Sequence, residues 1–305
     1  MKSATVFVPA SIGNVGPGFD VLGLAIDGIG DRVSIELRES PRDSVTVSGR
    51  DAEQVPTEAT RNVAAVAARA FLDVAKYEGG AAIHVEKGLA LSGGMGGSAA
   101  SSVGGAAAAS FALFDELRVD DVIRAALAGE ALVSGRHLDN ILPQTIGGLA
   151  LTRSVDPLDY VALAVRENWW AALVTPAVRV ETRSARSILS MQIERAVFIE
   201  QMANVAAMVH AFANGDGALL RRALDDRYAE PARKTLIPHF DDVKRAALDA
   251  GSIGCSISGS GPTVFAIAEN EAAAQRCGDA MARAFGSIAS TTHCGPIARE
   301  GARRI

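Results

Sequence analysis

Between residues 32 and 38 apolar and polar side chains alternate, with Val33, Ile35 and Leu37 on one face and Arg32, Ser34, Glu36 and Arg38 on the other. That period of two predicts a half-buried strand. A short strand is predicted over residues 5–8, closed by Pro9, and a neighbour over 45–47. An amphipathic, alanine-rich helix is expected over 62–77 and a further strand over 81–85. Residues 121–134 form the next helix, started by Asp120 or Asp121 and stopped near Gly135, and 147–152 a strand. The turn at 154–157 (Ser-Val-Asp-Pro) predicts a boundary between domains 1–155 and 156–305. Beyond it come strands over 160–165 and 170–174, helices over 183–189, 191–213, 217–224 and 240–250, strands over 252–257 and 263–268, a helix over 271–285 and a strand over 287–292. Two mixed layers in sequence predict an α+β protein of two domains with its site in the cleft between them.

One stretch fits neither period. Leu91 and Ser92 lead into Gly93, Gly94, Met95, Gly96 and Gly97, and Ser98, Ala99 and Ala100 open an alanine-rich run. Glycine lets the backbone bend and approach a ligand closely, and alanine favours the helix that follows. A glycine loop feeding a helix start aims free N–H groups and a positive dipole end at one spot, which suits phosphate. The plainer alternative is a tight loop before a closely packed helix. No lysine follows the last glycine, so this is no Walker A loop. Gly94, Gly96 and Ala99 fit G-x-G-x-x-A, with Asp115 about 20 residues on, as in dinucleotide sites. Residues 109–114 before Asp115 continue a helix rather than start a strand, which argues against that match.

Composition narrows the classes. The chain has 305 residues, 49% hydrophobic and 21% charged, with a formal net charge of −5 and no basic block. Nucleic acid is therefore not an expected partner. Cys255, Cys277 and Cys294 are odd in number and lack C-x-x-C spacing, against a disulfide framework or zinc site and in favour of a reducing compartment. No stretch reads as an apolar run of the ~18 residues a membrane helix needs, and residues 1–5 lack a signal-peptide core. The expectation is a cytoplasmic protein with no membrane partner.

Polar residues in apolar surroundings mark further candidates. Asn14 and Asp20 lie in the glycine- and proline-rich segment 9–23, read as a long turn. Turn chemistry explains Asn14. Asp20, flanked by Phe19, Val21 and Leu22, needs either a structural partner or a ligand. Ile123, Ala126, Leu127 and Glu130 share one helix stripe, so Glu130 faces the core, costly unless it meets a cation. It is the metal-ligand candidate. Arg136, His137, Asp139 and Asn140 crowd the turn that follows. His137 by itself reads as structural, and Arg186 and Arg233 by themselves read as surface residues.

Three stretches, 9–23, 94–100 and 254–265, together resemble motifs one to three of the GHMP small-molecule kinases, and the match runs nearly end to end. The first motif, with His137-Leu138-Asp139-Asn140 and the order Thr182, Arg186, Arg233, is similar to the branch that phosphorylates L-homoserine. The resemblance implies an N-terminal ribosomal-S5-like domain with a left-handed β-α-β crossover, and a C-terminal ferredoxin-like domain. It implies ATP-dependent phosphorylation of the L-homoserine hydroxyl on the way to threonine, with ATP and Mg²⁺ required. On the same ground the backbone of Leu91 to Ala100 would wrap the phosphates, Ser98 and Glu130 would hold Mg²⁺, and Asn62 would meet the adenine. Asn14 and Asp20 would grip the substrate's amino end, Arg186 and Arg233 its carboxylate, and Asn140, with His137 nearby, would lie beside the reacting hydroxyl. Homodimers are common among such relatives, though no stretch marks an interface.

The match departs from the family pattern where Met95 replaces a leucine, Gly97 a serine and Ala90 a proline. None removes a charge. The competing readings are another GHMP kinase of mevalonate-pathway type, a non-catalytic nucleotide-binding relative and, on the decoy motif, an NAD-dependent oxidoreductase.

Overall fold

A computed structural model describes residues 2–305. The first half contains β1 (Ser3–Gly13), β2 (Leu22–Arg38), β3 (Ser44–Gly49), α1 (Val63–Val74), β4 (Gly80–Lys87), α2 (Gly97–Phe114), α3 (Val119–Glu130), α4 (Ile141–Ile146), β5 (Leu149–Ser154) and β6 (Asp159–Leu163). The second contains β7 (Trp170–Pro176), α5 (Thr182–Ser187), α6 (Arg195–Asn214), α7 (Gly217–Ala223), α8 (Glu230–Arg233), α9 (Phe240–Asp249), β8 (Gly254–Ile257), β9 (Val264–Ala268), α10 (Glu271–Ala284), β10 (Ser290–Pro296) and β11 (Arg303–Arg304).

The first sheet runs β11-β1-β2-β4-β3, antiparallel except for the β3–β4 pair. The long β2 serves two partners, meeting β5 at Leu22 to Leu24 and β4 from Arg32 onward. Helices α1, α2 and α3 pack together, with α2 lying against β1 and β2. The second sheet runs β10-β7-β9-β8 and is wholly antiparallel. Its four strands stand in the order fourth, first, third, second, which is the ferredoxin-like arrangement of a split β-α-β unit.

Three expectations change. The strand predicted over 5–8 continues through Pro9 to Gly13, because the ladder to β2 shifts register between Pro9 and Ala10. A bulge absorbs the missing proline N–H, so the strand need not stop there. The long turn read over 9–23 shrinks accordingly to the residues between β1 and β2.

The expected boundary at residue 155 cuts a hairpin, since β6 pairs with β5 and belongs to the first sheet. The chain passes between sheets only after Leu163, and β11 returns to pair with β1. A turn-rich tetrapeptide marks a reversal equally well inside a domain and between domains.

Two helices, α2 and α6, are also long and apolar enough to cross a membrane by length and composition. In α2 that apolarity comes from the alanines and glycines of a buried core helix. In α6 the polar Gln201 and Asn204 bond to the segment before α8.

Candidate active site

The loop between β4 and α2 is held from outside by its carbonyls. Gly93 O accepts from Thr263 Oγ1, Gly94 O from Ser258 Oγ at 2.6 Å, and Met95 O from Ser11 N at 3.2 Å. Gly96 O accepts from Gln144 Nε2 at 3.0 Å and Gly97 O from Lys87 Nζ at 2.8 Å. These anchors come from both domains. Over residues 92–99, by contrast, no backbone N–H donates to another described protein group. Gly96 caps α2 at φ 71° with no side-chain acceptor, so the first N–H groups of the helix are left open as well. A concave face of bare amides at a helix start is an anion site. The loop, together with Ser98, Ser92 and Leu91, lines a cavity of about 410 Å³.

Beneath the loop lies a buried pair that the sequence reading did not single out. Lys87 and Asp31 are ion-paired in the core, and Asp31 also accepts from Ser101 Oγ and from the N–H groups of Gly88 and Leu89. A buried charge must be paired and hydrogen-bonded, and here one network satisfies Lys87, Asp31 and the first carbonyl of α2 together. The loop itself has no lysine, yet one from β4 braces it from below. The apolar alternation along β4 conceals it, because Lys87 stands at the strand's last position.

Ser98 Oγ donates to Glu130 Oε1 at 2.9 Å, joining the start of α2 to the end of α3. Glu130 is 6% exposed, and its Oε2 is buried without a partner among the described residues. Burial raises the pKa of its carboxyl, and the Ser134 and Ser98 hydroxyls and the Lys87 charge act in the opposite direction. An orphaned carboxylate oxygen beside a hydroxyl at the phosphate loop is a hard-oxygen donor set that fits Mg²⁺, which keeps waters and phosphate oxygens in its remaining positions. No cluster of three or more His, Cys, Asp or Glu side chains occurs among the described residues, so a cage made wholly of protein is not on offer.

At the other end of the same cavity the polar residues come from five separate segments. Asp20 accepts from both Nη atoms of Arg186, at 2.9 and 2.7 Å, a bidentate pair that holds the guanidinium firmly charged. The Asp20 N–H donates to Asn14 Oδ1, and Asn14 Nδ2 donates to Gly259 O, each at 2.9 Å. Asn14 thereby clips the first motif to the third. His137 Nδ1 stands 3.8 Å from Asp20 Oδ2, and burial depresses its pKa below the usual histidine value.

Arg233 is buried and donates to Ala185 O and Gly259 O. Burial and the Arg186 charge lower its pKa from that of free arginine. The Phe19 ring centre lies 5.3 Å from the guanidinium of Arg186 and 5.1 Å from that of Arg233, with Tyr228 edge-on at 5.3 Å. A ring within reach of both cations offsets part of the repulsion between two like charges. Phe19 read as ordinary apolar filling beside Asp20.

Asn140 Oδ1 accepts from Ser11 Oγ at 2.9 Å, which fixes the amide, and Nδ2 has no partner among the described residues. Next to it Asp139 is 6% exposed and lines the cavity. Burial, reinforced by the charges of Asp20 and Glu130, pushes its pKa up to about 7, against the pull of Arg186 and Arg233.

Asn62 has a different place from the one expected. It is 1% exposed and caps α1, accepting from Ala64 N and Ala65 N and donating to Pro56 O at 2.7 Å. With both ends of its amide engaged it has none left for a base. The cavity wall on that side is made instead by Gln54, Val55, Pro56, Arg61 and Val63. A capping asparagine and a ligand-binding one look alike in sequence. The dinucleotide decoy also dissolves, since Asp115 ends α2 and bonds to Arg304 at the surface.

The chain matches the GHMP kinases N terminal domain over residues 62–148 and the GHMP kinases C terminal domain over 208–287. It is 37% identical over 321 residues to a homoserine kinase from Chlorobium phaeobacteroides (strain BS1), covering 100% of both chains. It is 40% identical over 269 residues to a homoserine kinase from Pyrococcus abyssi (strain GE5 / Orsay), covering 87% of each. The crystal structure of homoserine kinase from Cytophaga hutchinsonii ATCC 33406 matches it with a TM-score of 0.95 at 40% identity, over 100% of this chain and 98% of that one.

Proposed function

The chain belongs to the GHMP kinase family, and on that premise we infer that its cleft transfers the γ-phosphoryl group of ATP to the side-chain hydroxyl of L-homoserine. Its two domains are those of the family, N-terminal S5-like and C-terminal ferredoxin-like. The observation that carries the reading is the division of one cavity. One end offers backbone amides whose carbonyls are all tied outward, and the other offers Arg186 and Arg233 with Asn140 between them and the loop.

In this reading the amides of residues 92–99 hold the triphosphate, and Ser98 with Glu130 holds Mg²⁺. The metal, when bound, neutralises charge on the phosphate oxygens. Lys87 acts through the loop rather than on the nucleotide, because its ammonium is engaged by Asp31, Gly97 O and Ser101. Gln54, Val55, Pro56, Arg61 and Val63 form the wall against which the base would rest. Arg186 and Arg233 bind the substrate carboxylate, which guanidinium matches in paired hydrogen bonds. Asn140 Nδ2 donates to the reacting hydroxyl oxygen and orients it.

The hydroxyl oxygen forms its bond to phosphorus as the bond to the ADP oxygen breaks, and the hydroxyl proton leaves late, to phosphate or solvent. A loose transition state demands little basicity early on, so alignment and charge neutralisation carry the rate. O-phospho-L-homoserine formed in this way feeds threonine synthesis, and the three free thiols suit a reducing, cytoplasmic setting.

The deciding experiment measures ADP release with ATP and Mg²⁺ across homoserine, mevalonate, shikimate and galactose. Turnover with homoserine alone is expected. A preference for mevalonate would move the protein to another branch of the family, and nucleotide binding with no turnover of any alcohol would make it a non-catalytic relative.

A further inference from the structure

The chain crosses between the two sheets twice, through residues 164–169 on the way out and 297–302 on the way back. Both crossings line a second cavity, of about 540 Å³, which shares no lining residue with the cleft. That volume is within the range of small-molecule sites. Its floor is apolar, made by Ile146, Leu149, Leu163 and Ile297. Its rim is charged. Asp27 is paired with Arg303 at 2.9 Å, Glu167 reaches only Arg166, at 4.0 Å, and Glu300 makes no ion pair with a described residue.

Arg299 ties the two crossings together, donating to Val165 O at 3.3 Å and to Asn168 Oδ1 at 2.5 Å. Both acceptors are neutral. A carboxylate entering the cavity takes the guanidinium from them, because charge-assisted hydrogen bonds are the stronger. With Asp27 and Arg303 neutralising each other, one guanidinium faces two carboxylates, Glu167 and Glu300. That balance suits a ligand carrying an ammonium as well as a carboxylate, whereas a plain anion meets an acidic rim. The floor adds a preference for a short hydrocarbon.

The returning crossing also bears on the support of the phosphate loop. A Cβ built on Gly301 would fall 2.4 Å from Thr145 O and 2.7 Å from Gln144 O, and one on Gly147 2.6 Å from Arg299 O. Crossing and α4 therefore touch backbone to backbone, and close-packed interiors transmit displacement. Gln144 Nε2 holds Gly96 O, while its buried Oε1 has no partner among the described residues. A single side-chain bond thus links α4 to the loop at Gly96.

We propose that this second cavity is an effector site for an α-amino acid with an apolar side chain, coupled through α4 to the nucleotide loop. The carboxylate replaces Val165 and Asn168 on Arg299, the ammonium meets Glu300, and the side chain lies on Ile146, Leu149 and Leu163. Once its tie is cut, residues 297–302 shift against α4, Gln144 loses its hold on Gly96, and nucleotide binds less well. The effector is an inhibitor that acts on ATP, whichever alcohol the cleft phosphorylates.

The probe is L-leucine, set beside 4-methylpentanoate, which lacks the amine, and 3-methylbutylamine, which lacks the acid. Calorimetry titrates each into the full chain with homoserine held at saturation, so that the cleft is closed to a second amino acid. L-leucine should bind with a Kd below about 1 mM and the other two at least about 10-fold more weakly. Saturating ADP and Mg²⁺ should weaken L-leucine about 5-fold and L-leucine should weaken ADP by the same factor, since coupling between two sites is reciprocal. The ATP KM should rise with it. Glu300→Gln should cost L-leucine about 10-fold, spare 4-methylpentanoate and leave the basal kcat and KM values unchanged. Arg299→Met should abolish binding of both acids and raise the ATP KM slightly by itself, because it cuts the same tie. A titration that never saturates overturns the proposal. So does L-leucine binding that both variants leave intact, which would place the molecule elsewhere on the protein. Saturable binding with ADP affinity unchanged overturns the coupling and with it the effector role. Because ADP binding is the readout, failure of homoserine turnover is registered separately and does not decide this test.

Discussion

In the proposed assignment, the two ends of the first cavity would recognise their ligands by different means. At the phosphate end the contacts are backbone amides from one unbroken stretch, and the side chains there are small so that the backbone is reachable. At the acceptor end the lining is made of side chains, Asp20, Asp139, Asn140, Arg186 and Arg233, drawn from both domains. Backbone recognition tolerates sequence change as long as glycine geometry survives, which is why Met95 and Gly97 can replace larger or more polar family residues. Met95 turns into the core, and Gly97 contributes a carbonyl to Lys87. Side-chain recognition has no such tolerance, because each charge is placed by another charge.

The comparison breaks most sharply at Gly96. Its φ is 71°, and a Cβ there would lie 2.3 Å from Ser11 Oγ and 2.6 Å from Gln144 Nε2. Gly96→Ala should shift the loop and lower kcat/KM for ATP by roughly 100-fold, the scale of an ångström-sized misplacement, with a much smaller change in homoserine KM. Steady-state kinetics with each substrate varied would check this. Equal losses for both substrates would mean that the two ends are not separable.

A smaller effect is expected at Phe19. Phe19→Leu keeps the apolar bulk but removes the ring that both guanidiniums approach, and should raise homoserine KM about 10-fold while leaving kcat and ATP KM nearly unchanged. An effect on kcat instead would place the ring's role nearer the chemistry. The smallest kinetic effect belongs to Asn62. Asn62→Ala should leave ATP KM within about two-fold and cost about 1 kcal/mol of stability as a lost helix cap. Calorimetry should therefore show a midpoint about 2 °C lower. A ten-fold rise in ATP KM at unchanged stability would return Asn62 to the adenine site.

Legibility in the sequence followed the same division. The glycine loop, Ser98 and the inward-facing Glu130 could be read locally, because helix period and glycine content are properties of short windows. Lys87 and Phe19 were passed over as candidates for one shared reason. Each sits in an ordinary local context, a strand end and an apolar triplet, and gains its place only from a partner more than ten residues away. Asp20 was legible as an acid among apolar neighbours that needs either a structural partner or a ligand, and Arg186 supplies a partner.

By itself the amino-acid order determined where helices and strands form, which face of α3 turns inward, and that a side-chain-poor bend precedes α2. Those follow from backbone sterics and burial periodicity acting within a few residues. The tertiary structure alone decided that β5 and β6 form one hairpin, that the loop's carbonyls turn outward to both domains, and that Glu130 keeps one buried oxygen without a partner among the described residues. Those outcomes depend on how charges and donors from distant segments satisfy one another in the low-dielectric interior, where pairing one group leaves another unpaired.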